Sequence, residues 1–160
     1  YSGACRALTP TERDARRQAG RVAALRLDLK AVLARTGPVT GWEEDGEGIV
    51  PARPEEWGDH VLARRDIGTS YHLAVVIDDA MQGVTDVVRG RDLYAATSIH
   101  RVIQTLLGLP VPRYRHHRLL TDASGEKLAK SRYSTPLRAL RAEGFTPDRI
   151  HRILGLEDVR

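Results

Sequence analysis

Thr85-Asp86-Val87-Val88-Arg89-Gly90-Arg91-Asp92 is the stretch on which the fold turns. Thr85 to Val88 reads as a strand, and the Arg-Gly-Arg-Asp run follows it without a spacer. In open α/β sheets ligands lie beyond the carboxyl ends of strands, and an arginine there can hold a carboxylate by two parallel hydrogen bonds. Arg89 is therefore a candidate anion ligand. The structural alternative is an ion pair with Asp92 or another acid.

Working outward, Ile99, Val102, Ile103 and Leu106 fall at helical spacing with His100, Arg101, Gln104 and Thr105 between them. They predict an amphipathic helix that ends near Gly108, its apolar stripe facing the core. On the other side, the apolar run Leu73 to Ile77 fits a buried strand and a buried helix equally well. Asp78-Asp79 closes that run, and neither is taken as catalytic, because sequence neighbours often point in different directions. Tyr71, just before it, is a candidate binding residue or a core aromatic.

Val61 to Arg65 reads as a short strand with residues 64–68 as its exit turn. Leu25, Leu27 and Leu29 alternate with Arg26, Asp28 and Lys30, the period of a strand with one buried face. Thr9-Pro10-Thr11-Glu12 combines a capping Thr, a Pro at the first helical position and a Glu three residues after the cap, so a helix should run from here to about Gly20. Residues 36–54 carry Gly37-Pro38, Gly41, Gly46, Gly48, Pro51 and Pro54 among acids, which predicts an irregular excursion with little regular structure. Thr135-Pro136 and Thr146-Pro147 begin two short closing helices, with Gly144 and Gly155 as stops. Strands and helices mixed in this order indicate an α/β protein.

The 160 residues suit one domain or a large piece of a bigger one. Hydrophobic residues at 41% and charged residues at 29% give the balance of a globular chain rather than a disordered or membrane one. A net charge of +4 and a pI near 9.6 permit a polyanionic partner without requiring one. No run approaches the ~18 apolar residues that span a bilayer, so no membrane partner and a cytoplasmic location are expected. Cys5, the sole cysteine, excludes an internal disulfide and leaves an inert thiol, a nucleophile or a metal ligand open. The opening residue is Tyr1 rather than Met, from which the chain is expected to be processed, truncated or part of something longer.

Gly125-Glu126-Lys127-Leu128-Ala129-Lys130-Ser131 sets two lysines three apart in a glycine-bearing loop with a hydroxyl after them. Such ammonium groups can meet negative charge developing on a phosphate leaving group, whereas the bland reading is a solvated surface turn. His116-His117, flanked by Arg115 and Arg118, is expected at the surface or at a helix end. Cys5 alone cannot build a structural zinc site, which needs four ligands.

Together these segments resemble a known family. Lys127-Leu128-Ala129-Lys130-Ser131 resembles the KMSKS loop of class I aminoacyl-tRNA synthetases. Tyr71, then Asp78-Asp79-Ala80-Met81-Gln82-Gly83-Val84-Thr85, then Val88-Arg89-Gly90 resembles the glutamyl branch of that class. Tyr1, Gly3 and Cys5-Arg6 resemble the end of its inserted zinc-binding segment. The resemblance extends over nearly the whole chain, and the motifs occur in the family order. Arg89-Gly90-Arg91-Asp92-Leu93, followed by Ala96-Thr97, and the short run after Ser131 favour the shorter subfamily that glutamylates queuosine in tRNA(Asp), over the branch that charges tRNA(Glu).

The resemblance implies the later part of a Rossmann-like catalytic domain with an α/β insertion and a short C-terminal helical segment. Residues 1–60 would be the end of the zinc-binding segment and the inserted subdomain. Residues 61–131 would be the second half of the catalytic domain through the KMSKS-like loop, and 132–160 the helical segment. It implies ATP with Mg2+, glutamate and tRNA(Asp) as partners, a monomer, and a reaction in which glutamate is adenylated and then passed to a hydroxyl of the queuosine base. By the same resemblance Tyr71 and Arg89 would contact glutamate, Lys130 would act on the ATP phosphates with help from Lys127, and Tyr1 and Cys5 would be half of a Zn2+ site. The family's HIGH-type signature, and the upstream Cys-x-Cys that would complete the zinc ligands, have no counterpart in these residues, so the fragment alone is expected to be inactive. The rival expectations are a fragment of the tRNA(Glu)-charging enzyme, and a noncatalytic tRNA-binding remnant that meets phosphates through Arg101, Arg113, Arg115, Arg118 and the terminal arginines.

Overall fold

The computed structural model describes residues 3–122, 124–129 and 134–156, so Tyr1, Lys130 and Ser131 lie outside the described residues. The chain forms two compact units, residues 1–117 and residues 118–160.

The first unit is arranged around one helix. In chain order its elements are α1 (Pro10–Gln18), β1 (Leu25–Arg26), α2 (Leu29–Thr36), β2 (Trp42–Glu44), β3 (Gly48–Val50), β4 (Val61–Ala63), α3 (Tyr71–Gln82), β5 (Asp86–Gly90), α4 (Thr97–Leu107) and β6 (Arg113–His117). Every residue of α4 from Thr97 to Gln104 is buried. Val102 packs with Leu27, Leu29 and Val32, while Ile99 and Ile103 pack with Val76 of α3. Each such aliphatic side chain contributes about 1.5–3 kcal/mol when buried completely. The helix stops where the sequence says it should: Gly108 takes φ 64°, and the Leu109 amide returns to the Gln104 carbonyl at 2.9 Å.

Four strands form a sheet in the order β3-β2-β6-β5. β5 and β6 are parallel neighbours, Val87 opposite Tyr114 and Arg89 opposite His116, so β5, α4 and β6 make one βαβ unit. β2 is parallel to β6 and antiparallel to β3. A second, two-stranded sheet pairs β1 with β4.

Several expectations hold. α1 begins on the predicted capping box, with the Glu12 carboxylate accepting the Thr9 amide at 2.7 Å. β4, β5 and α4 occur where periodicity placed them. The ambiguous run 73–77 is helical, started by the Ser70 hydroxyl and ended at Gly83.

Others are corrected. The leucine alternation does not make one strand: β1 stops at Arg26, and Asp28 caps a helix that begins at Leu29, its carboxylate accepting the Ala31 amide. Leu27 and Leu29 are both buried, which is why a two-residue period was visible without a strand beneath it. Residues 36–54 are not irregular throughout, because they hold the β2–β3 hairpin turned at Asp45-Gly46, a dipeptide that itself favours such turns. His116 lies inside β6 and is buried, not at the surface.

The second unit begins with a narrow hairpin in which Thr121 bridges Lys127 and the Asp122 carboxylate accepts the Ser124 and Glu126 amides. α5 (Leu137–Ala142) and α6 (Pro147–Leu154) are the two expected closing helices. Arg118 donates to the carbonyls of Leu154 and Gly155, placing a cation at the negative end of α6.

Candidate functional site

Arg89 occupies the next-to-last position of β5, and its guanidinium reaches three surrounding segments. Nε–H donates to His116 Nε2 on β6 at 2.9 Å. Nη1 meets His100 Nδ1 on α4 at 3.0 Å. Nη2 donates to the Thr97 hydroxyl at 2.7 Å and to the Leu93 carbonyl at 3.3 Å. The guanidinium also lies 5.1 Å from the centre of the Tyr114 ring. None of these partners is an acid, so the expected alternative, an ion pair with Asp92 or another carboxylate, is not what the described residues form. A half-buried cation with no counter-ion among its partners is suited to an anionic ligand.

Tyr71 opens α3 beside this group. Its ring centre is 6.2 Å from that of His100 and 5.2 Å from that of His72, and half of its surface is exposed. The structure thus brings the two predicted glutamate-contacting residues, Tyr71 and Arg89, against one histidine, His100. Asp79, on the same helix, has its carboxyl pushed up by burial, against the pull of Arg89.

His60, His72 and the polar contacts of His100 are the feature that reading the sequence passed over. His72 Nδ1 and His100 Nε2 are 2.9 Å apart, and the His60 ring stands edge-on to His72 at 4.6 Å. Burial, then the Arg89 charge, pulls His100 down to about 3. Burial, then His72, brings His60 to about 4. His72 is lowered by burial and by Arg89. All are neutral near pH 7. His116 is lowered chiefly by burial, opposed by Glu44, whose carboxylate lies 2.8 Å from its Nδ1. The signal available in sequence was the alternation Tyr114, His116 against Arg113, Arg115 in β6, which a purely apolar count does not register.

The remaining predicted residues belong to other segments of the chain. Lys127 belongs to the second unit, in the hairpin closed by Asp122. Lys130 and Tyr1 lie outside the described residues. Cys5 is exposed in a turn closed by the Arg6 amide on the Gly3 carbonyl at 2.7 Å. Among the described residues no three His, Cys, Asp or Glu side chains come together to hold a metal ion, so these residues alone do not fit a zinc centre. Arg101, expected as a phosphate contact, is buried instead and donates to the Gly41 carbonyl, Gln104 and Thr40. Arg113 and Arg115 are exposed but face Asp86 at 2.7 Å and Asp45 at 3.4 Å.

A sequence model of the class I tRNA synthetases (E and Q), catalytic domain, matches residues 1–158. The chain belongs to that family. Among its relatives, the glutamyl-Q tRNA(Asp) synthetase of Rhodobacter capsulatus is 51% identical over 140 residues, covering 82% of this chain and 48% of the relative. The glutamyl-Q tRNA(Asp) synthetase of Symbiobacterium thermophilum is 39% identical over 153 residues, covering 94% and 45%. A glutamate tRNA ligase from Elizabethkingia meningosepticum, solved with its amino acid, shares the fold at a TM-score of 0.50 and 22% identity, over 78% of this chain and 31% of that one. The chain thus spans about half the length of the curated class I synthetase relatives it matches. No helix among the described residues is long and apolar enough to cross a membrane.

Proposed function

We propose that the protein to which this chain belongs adenylates glutamate with ATP and transfers the glutamyl group to the queuosine base in the anticodon loop of tRNA(Asp). The observation that carries this reading is the Arg89 guanidinium, fixed at the carboxyl end of a parallel strand with only neutral partners. It is suited to the side-chain carboxylate of glutamate, with the Tyr71 ring beside it. The α-carboxylate oxygen then attacks the α-phosphorus of ATP and pyrophosphate leaves. A base hydroxyl next attacks the acyl carbon, and AMP leaves. Lys130, assisted by Lys127, acts on the phosphate charge that grows as pyrophosphate departs, and Mg2+ accompanies ATP. Such chemistry rests on position and charge rather than on a protein nucleophile. The names of relatives up to 54% identical support the choice of nucleic-acid substrate.

The test uses the full-length protein. Glutamate-dependent ATP–pyrophosphate exchange without tRNA, and labelled glutamate appearing on tRNA(Asp) only when it carries queuosine, are the expected results. Arg89→Ala should raise the glutamate requirement about 10- to 100-fold, the equivalent of one charge-assisted bond. Label at the 3′ end of tRNA(Glu) would select the tRNA(Glu)-charging enzyme instead. Salt-dependent tRNA binding without any exchange would select a noncatalytic remnant.

A further inference from the structure

We propose that His116 and Glu44 are positioning residues that aim the Arg89 guanidinium at its anionic ligand by holding His116 in a single tautomer. The inference rests on Arg89 being the glutamate ligand. A guanidinium has donors only, so the Arg89 Nε–H at 2.9 Å requires His116 Nε2 to be unprotonated. The ring proton is then on Nδ1, where it is donated to Glu44 Oε2 at 2.8 Å. Glu44 is itself immobilised: its carboxylate also accepts the His116 amide at 2.8 Å and the Trp42 indole N–H at 3.0 Å, and it is 3% exposed.

The arrangement has a physical logic. Nε lies nearest the side-chain stem, so a bond there sets the plane of the guanidinium, while bonds to Nη1 and Nη2 set its tilt. A carboxylate placed directly against Arg89 would neutralise the charge that the ligand needs and would occupy an edge of the fork. Inserting a neutral imidazole between Glu44 and Arg89 keeps the positive charge available and still orients it. The same constraint acts at His100, whose Nδ1 faces Nη1 and whose Nε2 therefore donates to His72 Nδ1. Removing the Glu44 charge frees the His116 ring to take the other tautomer, which would point an N–H at Arg89. Glu44 and His116 lie on the parallel neighbours β2 and β6, so the hairpin in the 36–54 excursion is tied to the ligand site through this pair.

The full-length enzyme is assayed by pyrophosphate exchange for the KM of glutamate and of ATP, in Arg89→Ala, His116→Leu, His116→Gln and Glu44→Gln. His116→Leu and Glu44→Gln should each raise the glutamate KM about ten-fold with little change for ATP, the scale on which outer partners of metal ligands act. His116→Gln, whose amide oxygen can still accept the Nε–H, should recover most of the loss. If His116→Leu does not fold, the contrast between Glu44→Gln and His116→Gln decides. An Arg89→Ala effect on glutamate together with wild-type behaviour of His116→Leu and Glu44→Gln overturns the positioning role and leaves the ligand assignment standing. Equal rises in both KM values overturn it as well, since they indicate a structural role. An Arg89→Ala enzyme with unchanged glutamate KM removes the ligand assignment and this inference with it.

Discussion

Gly41→Ala should damage the protein far more than its chemistry suggests. A Cβ built on Gly41 would lie 1.8 Å from the Val50 carbonyl oxygen, 2.6 Å from the Val50 carbonyl carbon and 3.0 Å from the Pro51 Cα. These are backbone atoms, so no rotamer change relieves the clash, and ordinary contact begins only at 3.4 Å. One side must move by at least about 1 Å, an overpacking that costs about 1–3 kcal/mol. Moving the Val50 side separates Trp42 from its partner in the hairpin, and moving the Gly41 side pulls its carbonyl from the Arg101 Nε–H, now at 2.9 Å. When the Gly41 side moves, the lost bond to a charged donor adds about 1.5–3 kcal/mol, for a total of about 2.5–6 kcal/mol. Gly46→Ala in the same hairpin is the control. At φ 79° with open space around it, that site carries only the left-handed penalty of about 1–2 kcal/mol. Urea unfolding of the two variants beside the parent measures the difference. A Gly41→Ala protein no less stable than Gly46→Ala would refute the close approach of the two backbone segments.

Histidine burial sets an acid limb. His60 and His100 are brought to about 4 and about 3, from 6.5 unfolded, so the unfolded chain binds protons that the folded chain refuses as the pH falls. Their stabilisation is complete above about pH 6.5, declines by at most about 1.4 kcal/mol per pH unit per histidine, and levels off below the folded values. Urea midpoints from pH 7.5 to pH 4.5 should drop accordingly, and His60→Phe, which keeps the ring against Trp57 and His72, should make the drop shallower; parallel curves would count against it. Lys130→Ala should lower the adenylation rate by about 100-fold or more while ATP affinity changes much less, with Lys127→Ala milder. Near-normal turnover of Lys130→Ala in pyrophosphate exchange would reduce the KMSKS likeness to coincidence. If Tyr1 and Cys5 are half of a zinc site, as the family resemblance implies, full-length protein should carry about one zinc, lost in Cys5→Ala; zinc-free protein whose stability is indifferent to that substitution would end that expectation.

Local chemistry determined much of this protein in advance. The Thr9 to Glu12 box starts α1, Gly108 ends α4, and the Val87-Val88 pair runs as a strand into Arg89. In each case the deciding interaction spans a few residues, so spacing along the chain is enough. The family motifs were legible for the same reason. Only the tertiary structure decided what Leu29, His116 and Arg101 do. Leu29 could be buried from a strand or from a helix, and the Asp28 cap together with packing on α4 selected the helix. Arg101 reads as a surface cation until the Gly41 carbonyl, 60 positions away, arrives to accept from it. His116 acquires its tautomer from Glu44, 72 residues earlier, and from Arg89, 27 residues earlier. A proton's place on an imidazole depends on which donor and which acceptor face its two nitrogens, and here both come from strands that meet only when the sheet forms.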